Sequence, residues 1–173
     1  MAKKQDLGVF DFAVQAEKDG MNFYMKAAKK FSGNEDLKKL FVSLAKEEAV
    51  HMKIFMDFKI NAEGKGVDQC LKSPEIDAYL EAIVQDGLFP KGETINKRLE
   101  KVETVAQAAA IAMAAEKNAI ILYTELAKLA KDKEQKKFFE KIAKEEKSHL
   151  VMVGGLRADN DPMYAALRFG RFF

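Results

Sequence analysis

AKEEAVH at residues 45–51 and AKEEKSH at residues 143–149 set Glu48 and His51, then Glu146 and His149, into two Glu-x-x-His pairs. They contain the only two histidines of the 173 residues. Helix residues three apart lie on one face, a turn from each other, so each pair can aim a carboxylate and an imidazole at one point. Stepping outward by threes and fours from Glu48 gives Leu37, Phe41, Leu44, Glu48, His51 and Phe55. The second copy gives Phe139, Ile142, Glu146, His149 and Val153. Apolar residues at this spacing mark the buried stripe of a bundle helix, so the acids and histidines are expected on core seams. A buried carboxylate needs a positive partner, and no lysine or arginine falls on either seam; a metal ion is the simplest candidate.

Two further helices are predicted, each with one acid in its seam. The first spans about residues 7–31, with the seam Phe10, Val14, Glu17, Met21, Tyr24 and Ala28. Ser32, Gly33, Asn34 and Asp36 supply turn and cap chemistry before a second helix over about 35–61. The third spans about 102–131, with the seam Val102, Ala106, Ala109, Met113, Glu116, Ile120, Tyr123 and Ala127. A turn near KDKEQ leads into the fourth, which is expected to stop at Gly154 and Gly155. Between the two hairpins, glycines and prolines break the periodicity of residues 62–101 around one short helix, which suits a crossover running the length of a bundle.

The halves are an internal repeat. Glu17, Tyr24 and Lys29 recur 99 residues later as Glu116, Tyr123 and Lys128. Phe41, Lys46, Glu47, Glu48 and His51 recur 98 residues later as Phe139, Lys144, Glu145, Glu146 and His149. The one-residue difference fits in the hairpin turn. Two such hairpins would pack with approximate two-fold symmetry and present every ligand type twice.

The inventory of candidate metal ligands is therefore Glu17, Glu48, His51, Glu116, Glu146 and His149. Four carboxylates balance two divalent cations, which favours a dinuclear site. Oxygen-rich ligands with one imidazole per metal suit iron or manganese better than a structural zinc. Glu47 and Glu145 also precede a histidine by four residues, but the seams run through their neighbours, which assigns them to the solvated flank. Tyr24 and Tyr123 sit seven residues after their helix's glutamate, where a phenol can hydrogen-bond a ligating carboxylate.

The segments EKDGMNFY (17–24) and EKNAIILY (116–123), with EEAVH and EEKSH, resemble the rubrerythrin branch of the ferritin-like superfamily over about residues 7–154. The resemblance implies an all-α, ferritin-like antiparallel four-helix bundle over residues 1–154, with one long crossover and a short tail over 155–173. It also implies a non-haem di-iron centre (Fe2+/Fe3+, with manganese or a mixed iron–manganese pair as alternatives) bridged by Glu48 and Glu146. The implied activity is reduction of hydrogen peroxide; the alternative is ferroxidase or iron-storage chemistry. Two departures stand out. The sole cysteine, Cys70, leaves no four-cysteine rubredoxin domain in these residues, so a separate electron donor such as a rubredoxin-like protein is implied. Many relatives carry an extra glutamate where this chain has Ala119.

Composition sets the remaining expectations. Lys+Arg of 29 against Asp+Glu of 27 leaves a net charge of only +2, which argues against a nucleic-acid binder. No run of 18 uninterrupted apolar residues and no secretory leader is evident, so neither membrane insertion nor export is expected and a cytoplasmic location is. The tail places Arg157, Arg168 and Arg171 beside Phe169, Phe172 and Phe173. Exposed phenylalanines are costly in water, so the tail is expected to fold back or to join a homodimer or higher homo-oligomer.

Overall fold

The computed structural model describes residues 9–62 and 98–168. Cys70, the body of the crossover and the final phenylalanines lie outside them. Among the described residues the structure is helical, with α1 Val9–Lys30, α2 Glu35–Ala62, α3 Val105–Leu129, α4 Lys133–Asn160 and α5 Pro162–Arg168. The fold is an all-α, ferritin-like bundle, in which α1 packs on α2 and α3 on α4.

The helices α2, α3 and α4 begin where side-chain chemistry satisfies their free N–H groups. Asn34 Oδ1 accepts from the backbone of Asp36 and Leu37 at the head of α2. Asp132 does the same for Glu134 and Gln135 at the head of α4. Thr104 and Gln107 form a reciprocal capping box on α3. The first hairpin turn comprises residues 31–34 and the second residues 130–132, so the second is one residue shorter. That shortening accounts for the change of repeat offset from 99 to 98.

The helix seams follow the 3.6-residue period, with one systematic shift. On α2 and α4, Phe41, Leu44, Phe55, Phe139, Ile142 and Val153 are all fully buried. On α1 and α3, Val14, Met21, Ala106 and Ile120 are only half-buried, and Ala13, Ala16, Ala27, Ala108 and Ala112 are buried instead. Alanine lets helices approach closely, and it takes positions that bulkier residues leave at the edge of the seam.

The core is divided into two apolar blocks with an acidic layer between them. One block gathers Phe10, Phe55, Leu122, Tyr123, Leu126, Phe138, Phe139 and Ile142. Its rings interlock: Phe55 stacks on Tyr123 at 5.2 Å and meets Phe138 edge-on at 5.1 Å. The other block joins Phe23, Tyr24, Phe41, Leu44, Leu99, Val102, Met113, Val153 and Leu156 with several alanines. Lys30 ties this end down by donating to the Leu99 carbonyl at 3.0 Å.

The fourth helix does not stop at Gly154 and Gly155; it runs on to Asn160. Leu156 lies buried in the core just beyond the glycines, and its burial favours continuing the helix over breaking it. Gly154 instead makes room, since a Cβ there would come within 3.3 Å of the Arg168 guanidinium. The tail folds back as far as residue 168, with Arg157 lying over the Tyr164 ring at 4.3 Å. By length and composition α3 is apolar enough to cross a membrane. In the bundle its apolar face supplies the core residues Ala108, Ala109, Met113, Leu122 and Leu126, together with the buried carboxylate of Glu116.

Candidate metal centre

All four long helices deliver one acid to the layer between the apolar blocks, and α2 and α4 each add a histidine. Glu17, Glu48, His51, Glu116, Glu146 and His149 are each 4% exposed or less. The structure brings all six sequence-predicted ligand candidates together, in two overlapping groups. Glu17, Glu48, His51 and Glu146 form one; Glu48, Glu116, Glu146 and His149 form the other. Within each group one ligand atom per residue lies within 4.8 Å of all the others. Glu48 and Glu146 belong to both, so they are the two residues that the groups share.

Both imidazoles turn Nδ1 inward. His51 Nδ1 lies 2.9 Å from Glu146, 3.4 Å from Glu17 and 3.8 Å from Glu48. His149 Nδ1 lies 3.1 Å from Glu146, 3.4 Å from Glu48 and 3.6 Å from Glu116. The two rings stack with centroids 5.7 Å apart. Glu17 Oε2, His51 Nδ1 and Glu146 Oε1 are buried without a hydrogen-bond partner, although the last two approach to 2.9 Å. Buried polar atoms are seldom left unsatisfied, and three such donors converging on one spot fit a metal ion.

Protonation shows the same crowding. Burial, then the neighbouring Glu146 and Glu17, push the Glu48 carboxyl well above its ordinary range. Burial likewise moves Glu116 up to about 8. Burial acts the same way on Glu146, but the close approach of the His149 and His51 imidazoles outweighs it and holds that carboxyl down at about 2. Burial lowers the His51 imidazole, yet Glu146, Glu17 and Glu48 reverse this and push it up to about 12. His149 is raised in the same way by Glu116, Glu146 and Glu48. Without metal the cluster therefore retains protons on its histidines, and cations entering it must displace them.

The tyrosines reach across the repeat. Tyr24 donates its hydroxyl to Glu116 Oε1, and Tyr123 donates to Glu17 Oε1. Each hairpin's phenol thus steadies the other hairpin's carboxylate, a pairing that spacing along one helix left open. Burial and the surrounding carboxylates raise both phenols well above their usual value, so they remain hydrogen-bond donors.

Glu47 and Glu145 correct the expectation from sequence. They do lie on the flank, with side chains 47% and 39% exposed, but each reaches a histidine of the opposite hairpin. Glu145 Oε2 is 3.0 Å from His51 Nε2, and Glu47 Oε2 is 3.1 Å from His149 Nε2. Their position four residues before a histidine was the available signal, but it points along their own helix, whereas the partner lies across the bundle.

On the α1–α3 side a small cavity meets the shared carboxylates of Glu48 and Glu146. Gly20, Phe23, Ile111, Ala112, Ala115 and Ala119 form its apolar wall, with Glu17, Glu48, Glu116 and Glu146 at its floor. Gly20 and Ala119 are repeat equivalents, 99 residues apart. A Cβ at Gly20 would stand 3.3 Å from the Glu48 carboxyl carbon, so the absence of a side chain there leaves room for that carboxylate. The histidines lie on the α2–α4 side of the cluster, and the cavity lies on its α1–α3 side.

Comparison with protein families gives a match to the rubrerythrin model over residues 9–156. Searches of curated proteins and of solved structures returned no match.

Proposed function

The chain belongs to the rubrerythrin family, and from that premise we propose that it is a non-haem di-iron oxidoreductase that reduces hydrogen peroxide with electrons from a separate donor protein. The observation that carries the reading is the pair of four-residue ligand groups sharing Glu48 and Glu146. In this reading Glu17 and His51 would hold one ion, Glu116 and His149 the other, and Glu48 and Glu146 would serve both. Two iron ions bound there would supply the electron pair and the Lewis acidity that O–O cleavage requires.

The protein's own groups prepare that chemistry. Tyr24 and Tyr123 keep their protons and fix one oxygen each of Glu116 and Glu17, leaving the second oxygen for an ion. The apolar wall of Phe23, Ile111, Ala112 and Ala115 restricts the α1–α3 cavity to small substrates and limits bulk water. Glu48 and Glu146 line the floor of that cavity, so a peroxide entering it would meet these two carboxylates. An electron donor is external in this proposal, because these residues hold a single cysteine. A homodimer or higher homo-oligomer and a cytoplasmic location complete it.

One observation favours ferroxidase or iron-handling chemistry as the second reading. Ala119 lies beside the cluster and offers no carboxylate, leaving the simpler six-ligand set. Anaerobic iron(II) loading followed by rapid mixing with peroxide or oxygen separates the two. Two irons per chain, oxidised much faster by peroxide and re-reduced without loss of iron, support the peroxidase. Rapid oxidation by oxygen with iron accumulating beyond two per chain supports iron handling. Failure to bind two ions overturns the dinuclear centre.

A further inference from the structure

We propose that Glu47 and Glu145 are positioning residues that clamp the histidines from the opposite hairpin: Glu145 holds Nε2 of His51, Glu47 holds Nε2 of His149, and each ring thereby presents Nδ1 to the ion. The inference rests on reading the cluster as a metal centre.

A neutral imidazole has one N–H and one lone pair. A ring that ligates through Nδ1 must carry its proton on Nε2, and an acceptor at Nε2 selects that tautomer and fixes the ring plane. In both rings Nδ1 faces the buried carboxylates, and the acceptor at Nε2 is a carboxylate 3.0 or 3.1 Å away. The clamps are themselves held. The other oxygen of Glu47 accepts from Ser43 at 3.4 Å, and that of Glu145 lies 3.7 Å from the Lys141 ammonium. Ser43 and Lys141 are repeat equivalents, 98 residues apart, so the support recurs in place although its chemistry differs.

The geometry differs from that of an ordinary surface ion pair. Glu47 and Glu145 are half-exposed, but the rings they hold are buried, so each clamp joins the flank of one hairpin to the centre of the other. A carboxylate bonded to the far nitrogen of a ligand histidine also makes the ring a stronger donor, and removing such a partner costs about 10- to 100-fold in metal affinity. The crossed arrangement adds a site-specific consequence. Glu145 should govern only the ion at His51, and Glu47 only the ion at His149.

Cobalt(II) is a suitable probe, since its optical spectrum reports occupancy and it shifts the proton resonances of ligand imidazoles. Two cobalt ions per chain and two exchangeable imidazole N–H resonances are expected in the unaltered protein. E145A should weaken one of the two ions about 10- to 100-fold in chelator competition and speed solvent exchange of one N–H. E47A should do the same to the other ion and the other N–H. E145Q and E47Q, which keep an acceptor oxygen, should restore most of the exchange protection. Alanine variants that bind both ions with unaltered affinity and exchange would overturn the clamp alone. An unaltered protein that binds no cobalt would overturn the metal centre, and the clamp with it.

Discussion

The two ends of the bundle are related by the internal repeat, yet they are packed differently. At the end near the α3–α4 turn, Phe10 and Phe55 interlock with Phe138 and Phe139. At the other end the repeat places Ala109 where the first has Phe10, and Val153 where it has Phe55. There Leu99, Val102 and Leu156, which come from outside the repeated hairpins or from the far end of α4, complete the core. The ligand set between the ends keeps its two-fold pattern all the same. The two-fold pattern is thus kept in the candidate ligand set, and the apolar filling on either side differs.

The strongest way to break this comparison is to truncate the repeat-equivalent pair at its centre. F55A should cost about 3–5 kcal/mol in chemical unfolding, because a fully buried ring with three aromatic neighbours leaves a cavity that cannot close. V153A should cost about 2 kcal/mol, from two lost methyl groups and a small void. Equal losses would show that the ends are equally rigid.

The tyrosines test whether the ends support the centre alike. Y24F and Y123F each remove a buried donor to a carboxylate, and each should cost about 1–3 kcal/mol in metal-free protein. Similar losses in the two variants are expected, since the crossed bonds are equivalent. A loss confined to one variant would place the support at one end.

Titration of the metal-free protein sharpens the same point. His51 and Glu116 have folded pKa values raised to about 12 and about 8, above their unfolded values, so the stability they contribute is complete at low pH. It is lost as pH rises, from about 4.5 to 8 for Glu116 and from about 6.5 to 12 for His51. Glu146, lowered to about 2, acts in the opposite sense and loses its contribution only as pH falls from about 4.5 toward 2. Urea midpoints of metal-free protein should therefore decline from pH 5 to 9, and metal-loaded protein should lack the decline. A flat profile without metal would contradict this electrostatic account.

The smallest effects are expected at the cavity wall. A119G should cost about 0.5–1 kcal/mol, the ordinary price of glycine in a helix. G20A should change metal-free stability by under about 1 kcal/mol, because helix propensity gained offsets contact with Glu48. Its metal affinity should nevertheless fall, since Glu48 must shift to accept the new methyl group. Unchanged affinity would show that the space at Gly20 is not needed.

Much of this architecture was legible in the sequence, for a physical reason. A buried acid is expensive, so Glu17, Glu48, Glu116 and Glu146 on apolar seams stood out, and helical periodicity gave their common face. What could not be read was anything depending on the neighbour across the bundle. Glu47 and Glu145 carry the spacing of a solvated flank, and their role emerges only when α2 and α4 lie side by side. The tyrosines likewise fell on the correct seam, with the receiving carboxylate left open. Gly154 and Gly155 were expected to end a helix, and tertiary burial of Leu156 prevailed over local propensity.

The unequal hairpin turns bear on how such a chain can change length over generations. A residue lost from turn 31–34 leaves both seams of its hairpin intact, as the shorter turn at 130–132 demonstrates. A residue lost inside a helix rotates everything after it by about 100°. Between Glu17 and Tyr24 such a deletion would turn the Tyr24 hydroxyl away from Glu116 and its apolar neighbours off the seam, whereas between Phe41 and Glu48 it would carry a glutamate and a histidine off the axis together. Insertions and deletions in descendants of this chain should therefore collect at the two turns and be purged from the 28-residue helices α2 and α4.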